Sequence, residues 1–280
     1  MRRIMSSIIG PASALAIAVV YWVAATIVAY VTFNRALWRG GRGWVFIGVG
    51  YMLLAVIIQY VLQQIPGLVI LIRELPLMLG VKDITEINAL ASSSLKPYIP
   101  WLILYYGLMA GVCQEGARYF AVKDREPASA PYIGYGFALI DIAVGVLNLV
   151  IILAVARTGL PIVPFKNQLQ ALLTAQYIGI AVQPLASFLF HPGASMFLRA
   201  MQTNGRGLRG LAVTIIAHTY MDSFTLYLNY LLYGLLTTTG ELTIASSAVY
   251  FSTIISISIV LFLIGLNKIK PNTKLMINMQ

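Results

Sequence analysis

Runs of about twenty apolar residues, the length a helix needs to cross the hydrocarbon core of a bilayer, recur along almost the whole chain. No other feature restricts the fold as strongly. Seven windows qualify, at roughly 8–33, 44–62, 99–122, 131–156, 177–201, 210–234 and 244–266. Polar turns punctuated by Gly or Pro separate them at Arg35 to Arg42, Lys123 to Pro127 and Asn204 to Gly210. The stretch from Ile65 to Leu79 is apolar but interrupted by Pro66, Arg73, Glu74 and Pro76, and reads as an interfacial or re-entrant piece. The predicted fold is therefore all-α: a polytopic membrane protein of about seven transmembrane helices forming one domain over residues 1–280. Residues 63–98 are expected to form a long extracytoplasmic connection and 267–280 a basic cytoplasmic tail. The apolar run behind Arg2 and Arg3 is too long for a signal peptide and lacks a small-residue cleavage site, so it reads as the first span.

Composition supports this reading by exclusion. Only 10% of the residues are charged and mean hydropathy is +0.84, against about 25% charged in a soluble domain. So little charge cannot cover a water-soluble globule of 280 residues, which excludes a soluble enzyme. Disorder is excluded by the same apolarity, and a disulfide scaffold by the presence of a single cysteine, Cys113. The net charge of +10 points to basic loops meeting anionic lipid, with membrane lipid as a partner and no nucleic acid. Eleven Lys and Arg residues fall on the side that holds Arg35, Lys123, Arg206 and Lys268, seven on the other, and Arg118 within a span. The positive-inside rule then places the N-terminus outside and the C-terminus in the cytoplasm, in a plasma-membrane protein.

Ionisable residues inside spans cost at least about 2.5–3.5 kcal/mol each on insertion scales, so each needs a partner or a purpose. Glu115, Asp141, His191, His218 and Asp222 all fall well inside spans, and they include both histidines of the chain. Measured from the cytoplasmic flanks, the five lie about 12–20 Å deep, near the bilayer midplane. Four helices thus carry their costly groups at one level, which predicts a shared internal site. His218 and Asp222 are spaced i,i+4 on one helix face, and Glu115 and Arg118 are spaced i,i+3 and can neutralise each other. Two imidazoles with one or two carboxylates suit a divalent metal, zinc first, held by three protein ligands with an open position. A further carboxylate can act as general base.

The order of these pieces resembles the intramembrane protease superfamily that contains the CAAX prenyl endopeptidases, the PrsW proteases and the YhfC-type predicted metalloproteases, the last being the nearest. The scaffold subunit of gamma-secretase belongs to the same group. Gln114-Glu115-Gly116-Ala117-Arg118-Tyr119 resembles the first motif of that superfamily, and the glycine-rich run from Gly134 to Asp141 resembles the second. His191 with Ser195 resembles the third, and His218-Thr219-Tyr220-Met221-Asp222 the fourth. Gln59, followed by Gln64-Ile65-Pro66, is similar to the YhfC-type second span. The resemblance covers residues 44 to about 225 and implies a membrane-embedded metalloprotease-like protein. His191, His218 and Asp222 would be the metal ligands, Glu115 the water-activating residue, Arg118 its organiser and Asp141 an outer support. Its substrate would be a membrane protein.

The chain departs from the pattern at Gln114, where the first glutamate stands in the family, and at Gln183-Pro184, where a Glu-Arg pair stands. These departures define the alternative, a non-catalytic pseudoprotease that serves as scaffold or subunit of a membrane complex. A third reading makes His191 and His218 the axial ligands of a haem b. A transporter is disfavoured, because no inverted repeat is visible. Gly48, Gly50, Gly134 and Gly136 read as small residues at helix contacts rather than nucleotide loops, and Cys113 as a packing residue.

Overall fold

The computed structural model describes residues 41–157, 166–232 and 240–269, together with Val20, Val23, Ala24, Ile27 and Val31 of the first apolar run. The rest of that run and most of the basic tail lie outside the described residues, so the expectations placed on them are not addressed by the fold. Among the described residues the regular structure is all helical, joined by short turns. The α-helices are α1 (Arg42–Leu79), α2 (Ile84–Leu95), α3 (Ile99–Val122), α4 (Ala130–Arg157), α5 (Lys166–Thr203), α6 (Gly207–Leu232) and α7 (Gly240–Ile269). Single 3-10 turns at Lys96–Tyr98 and Pro127–Ser129 lead into α3 and α4. Three helical stretches are long and apolar enough to cross a membrane: Gly43–Leu79, Pro127–Leu147 and Glu241–Ile269. The chain is a helical membrane protein. The other long helices, α3, α5 and α6, carry Glu115, Arg118, His191, His218 and Asp222 along their lengths.

The second apolar window does not stop near residue 62. Helix α1 runs unbroken for 38 residues through Pro66 and Pro76, about 57 Å at 1.5 Å per residue. A proline inside a helix leaves the carbonyl four residues earlier without its N–H donor. For Pro66 that carbonyl belongs to Leu62, and the hydroxyl of Tyr105 on α3 donates to it at 3.0 Å. One residue on, Gln63 Nε2 donates to the Tyr106 carbonyl at 2.8 Å. A neighbouring helix therefore satisfies the backbone that the proline frees, as membrane helices require, and the break expected from Pro66 becomes a tied crossing of α1 and α3.

The inward face of α1 reads Gly48, Met52, Ala55 and Gln59, at helical spacing, while Leu53, Leu54, Ile57 and Val61 face outward and are exposed. An exposed apolar face of this kind belongs against lipid rather than water. Helix α5 packs along α7, α3 along α6, and α4 between α1 and α5. The core is centred on Met52, Val122, Ile133, Phe137, Met196 and Leu198. Small residues permit the close crossings. A side chain at Gly48, Gly134 or Gly136 would strike the backbone of the facing helix, whereas Gly50 faces open space. Three of the four glycines singled out in the sequence are thus contact residues.

Helix α2 is short, and its start depends on one side chain. Asp83 caps it by accepting from the Thr85 N–H at 2.8 Å. Asp83→Ala is expected to cost about 0.5–2 kcal/mol of local stability, read as faster amide exchange confined to residues 84–95. Unchanged protection there would show that the connection is held by its packing against α1 instead.

Candidate functional site

Four helices bring their ionisable side chains into one continuous chain of contacts. At its centre Glu115 and Arg118, one turn apart on α3, approach to 2.9 Å between Oε2 and Nε, both side chains fully buried. Neither of these two atoms has a well-aligned hydrogen-bond partner, so this contact is electrostatic. Each residue has better bonds elsewhere. Glu115 Oε1 lies 2.6 Å from His218 Nδ1. Arg118 Nη1 donates to the His191 carbonyl at 2.6 Å and reaches Ser195 Oγ at 3.4 Å, while Nη2 lies 2.5 Å from His191 Nδ1. The guanidinium also sits over the rings of Phe137 and Phe190, at 4.6 and 5.7 Å, which adds cation–π attraction in a desolvated setting.

These contacts assign the protons of the two rings. A guanidinium has only donors, so His191 Nδ1 must accept. The proton of the neutral His191 ring then sits on Nε2, which faces Asp141 Oδ2 at 3.4 Å. A carboxylate can only accept, so His218 Nδ1 carries the proton it gives to Glu115. In the neutral ring the lone pair sits on the remaining nitrogen, His218 Nε2, 3.7 Å from Asp222 Oδ2. The rings stand edge to face with centroids 5.8 Å apart. One histidine therefore presents a donor and the other an acceptor.

The two ends of this chain are its exposed members. The Asp141 and Asp222 side chains are 30% and 36% accessible, against 0–4% for the four groups between them. Both aspartates line a cavity of about 220 Å³, together with Gln59, Gln63, Gln114 and Gln183. Ser187 on α5, one turn before His191, also donates to Asp141 Oδ2. Gln114 Nε2 donates to Gln59 Oε1 at 2.8 Å and so bridges α3 to α1.

All six residues singled out in the sequence thus converge, but their contacts differ from the ligand set expected of them. Among the described residues no three or more His, Cys, Asp or Glu side chains are grouped as a metal site requires. Glu115 lies behind His218 rather than in the cavity, and His191 is turned to Arg118 and Asp141. Cys113 is a free, partly buried thiol. Ser187, Gln63 and Tyr106 were not anticipated. Ser187 could have been found, since it precedes His191 by four residues on the same helix face; Gln63 and Tyr106 carry no comparable signal.

No family model, curated protein or solved structure matches the chain. The likeness to intramembrane proteases accordingly rests on the residues quoted above.

Proposed function

We propose that the chain is a membrane-embedded, metalloprotease-like hydrolase that acts on a membrane-associated polypeptide. In this reading it spans the plasma membrane about seven times, N-terminus outside and C-terminus in the cytoplasm. The observation that carries it is the Glu115–His218 pair, in which a fully buried carboxylate 2.6 Å from Nδ1 orients the ring so that Nε2, which bears the lone pair of the neutral ring, is turned to Asp222, a residue of the cavity wall. A base oriented by a second-row carboxylate is the arrangement that general-base hydrolysis requires. Water in the cavity would lose its proton to His218 Nε2 as its oxygen adds to the peptide carbonyl. The same nitrogen would return that proton to the departing amine. Arg118 acts through its neighbours: it neutralises Glu115 and fixes the tautomer of His191, whose Nε2–H steadies Asp141.

The residues as placed do not fit a divalent ion: among the described residues no three His, Cys, Asp or Glu side chains are grouped to hold one, and His191 Nδ1 is taken up by Arg118 at 2.5 Å. Nothing in the packing favours haem, because the two rings meet edge to face with Phe190 against both.

The test is cleavage of a reporter transmembrane polypeptide by the purified protein in nanodiscs. His218→Gln is expected to lower the rate by about 10²-fold or more, with an unchanged elution profile and melting temperature. Wild-type protein that cleaves nothing in a screen of membrane polypeptides, or a His218→Gln variant as active as wild type, overturns the hydrolase reading. A second reading, a non-catalytic scaffold subunit, draws on Gln114. The amide standing where the resembled family has a glutamate is engaged with Gln59 at 2.8 Å. That reading predicts stable co-purification with another membrane protein and no gain of cleavage in Gln114→Glu.

A further inference from the structure

We infer that the cavity bounded by Asp141 and Asp222 is a binding site for a primary alkylammonium group, whether free or borne on a lysine side chain. The inference does not depend on hydrolysis. Both carboxylates open onto the cavity, and among the described residues no Lys or Arg lines it. The Arg118 guanidinium is fully buried behind them and engaged with Glu115 and His191. Two carboxylates at one cavity of a membrane protein, met on the protein side by Ser187 and the His191 and His218 rings, favour a cation in the space between them.

A second, independent observation points to a ligand with N–H donors. Gln114 is 4% exposed and lines the same cavity, yet its Oε1 has no hydrogen-bond partner. Its amide nitrogen is already committed to Gln59, at 2.8 Å. Gln63, which also lines the cavity, likewise has its Nε2 committed, to the Tyr106 carbonyl. The wall thus offers the two carboxylates and the Gln114 carbonyl oxygen as acceptors. An ammonium group is the converse, three N–H donors and no acceptor.

The remaining wall decides between an organic cation and a bare metal ion. Met52, Val56, Val144 and Leu226 give the cavity an apolar side, which a monatomic ion leaves unused and a short alkyl chain covers. A volume of about 220 Å³ suits a chain of a few carbons ending in an ammonium. The carboxylates would take the charged head, with Gln114 Oε1 as a further acceptor.

The experiment uses the full-length protein in detergent and n-butylammonium chloride as probe, read by thermal shift and calorimetry. Saturable binding with a rise in melting temperature is expected. n-Butanol, with the same chain and no charge, should give none, and tetramethylammonium, which has no N–H, should bind at least tenfold more weakly. Asp222→Asn and Asp141→Asn should each weaken butylammonium binding at least tenfold. Gln114→Leu, which leaves both carboxylates in place, should weaken it several-fold and keeps the test open if an aspartate variant fails to fold. An apolar peptide bearing lysine, compared with its norleucine counterpart, separates the two sources of the amine; preference for the lysine peptide supports the site and names a polypeptide as its ligand. No saturable effect of butylammonium, an equal response to sodium or tetramethylammonium, or undiminished binding in both Asp222→Asn and Gln114→Leu would overturn the inference.

Discussion

Arg118→Leu is expected to leave little folded protein. The guanidinium is fully buried and holds together three helices: Glu115 on its own helix α3, the carbonyl and ring of His191 on α5, and the face of Phe137 on α4. Removing it strands Glu115 as a buried carboxylate whose remaining partner is a histidine, and it frees the His191 carbonyl. Breaking one side of a buried pair costs about 3–5 kcal/mol, comparable with the entire stability of many domains, about 5–15 kcal/mol. The predicted readout is a melting temperature in detergent lower by roughly ten degrees or more, with a matching loss of monodisperse protein. Arg118→Lys keeps the charge but cannot serve Glu115, the carbonyl and the ring at once, so it should fall between. The double variant Glu115→Gln/Arg118→Leu removes both charges together and should recover part of the loss, because replacing a buried pair by neutral groups is often close to neutral. If Arg118→Leu melts like wild type, the network is not what holds these helices in register.

What the sequence could and could not reveal divides along physical lines. Helix positions were legible because the apolar runs are long and their boundaries polar: the window predicted over 99–122 coincides with α3, Ile99–Val122. The convergence of Glu115, Arg118, Asp141, His191, His218 and Asp222 was legible for a related reason. Ionisable groups are so unfavourable in a span that several at one depth must meet. Atom-to-atom partnership was not legible, because the sequence does not say that Arg118 reaches across to His191 Nδ1 at 2.5 Å and thereby fixes the tautomer that decides whether the ring can be a ligand. The continuation of α1 through Pro66 was hidden for the same reason. A proline normally argues for a break, and it is the hydroxyl of Tyr105, 43 residues beyond the Leu62 carbonyl that it serves, that makes the unbroken helix stable. Local pattern fixes where a helix can be; the satisfaction of its polar groups is a property of its neighbours.

Gly134→Val should be among the most damaging single changes that add atoms rather than removing a charge. Gly134 on α4 meets α5 backbone to backbone: a Cβ placed there would lie 2.5 Å from both the His191 carbonyl oxygen and Pro192 Cα. Those are main-chain atoms in the middle of a 38-residue helix, so neither can swing aside as a side-chain end would. Relief requires α4 to move off α5. Overpacking of this kind costs typically about 1–3 kcal/mol, and the absence of any yielding neighbour puts this site near the upper end. Separation would also reach the cavity. Asp141 lies two turns along the same face of α4, and its contacts with His191 and Ser187 all cross to α5. Gly134→Val should therefore lower the melting temperature and, in whatever protein survives, weaken butylammonium binding even though no cavity residue has been touched. Gly116→Ala is the matched control. It lies inside α3 with nothing within 4 Å of a built Cβ, and replacing glycine by alanine in a helix gains roughly 0.5–1 kcal/mol, so its melting temperature should equal or exceed that of wild type. Equal melting temperatures for the two variants would mean that α4 and α5 do not approach this closely, and the pairing of Asp141 with His191 would fall with that contact.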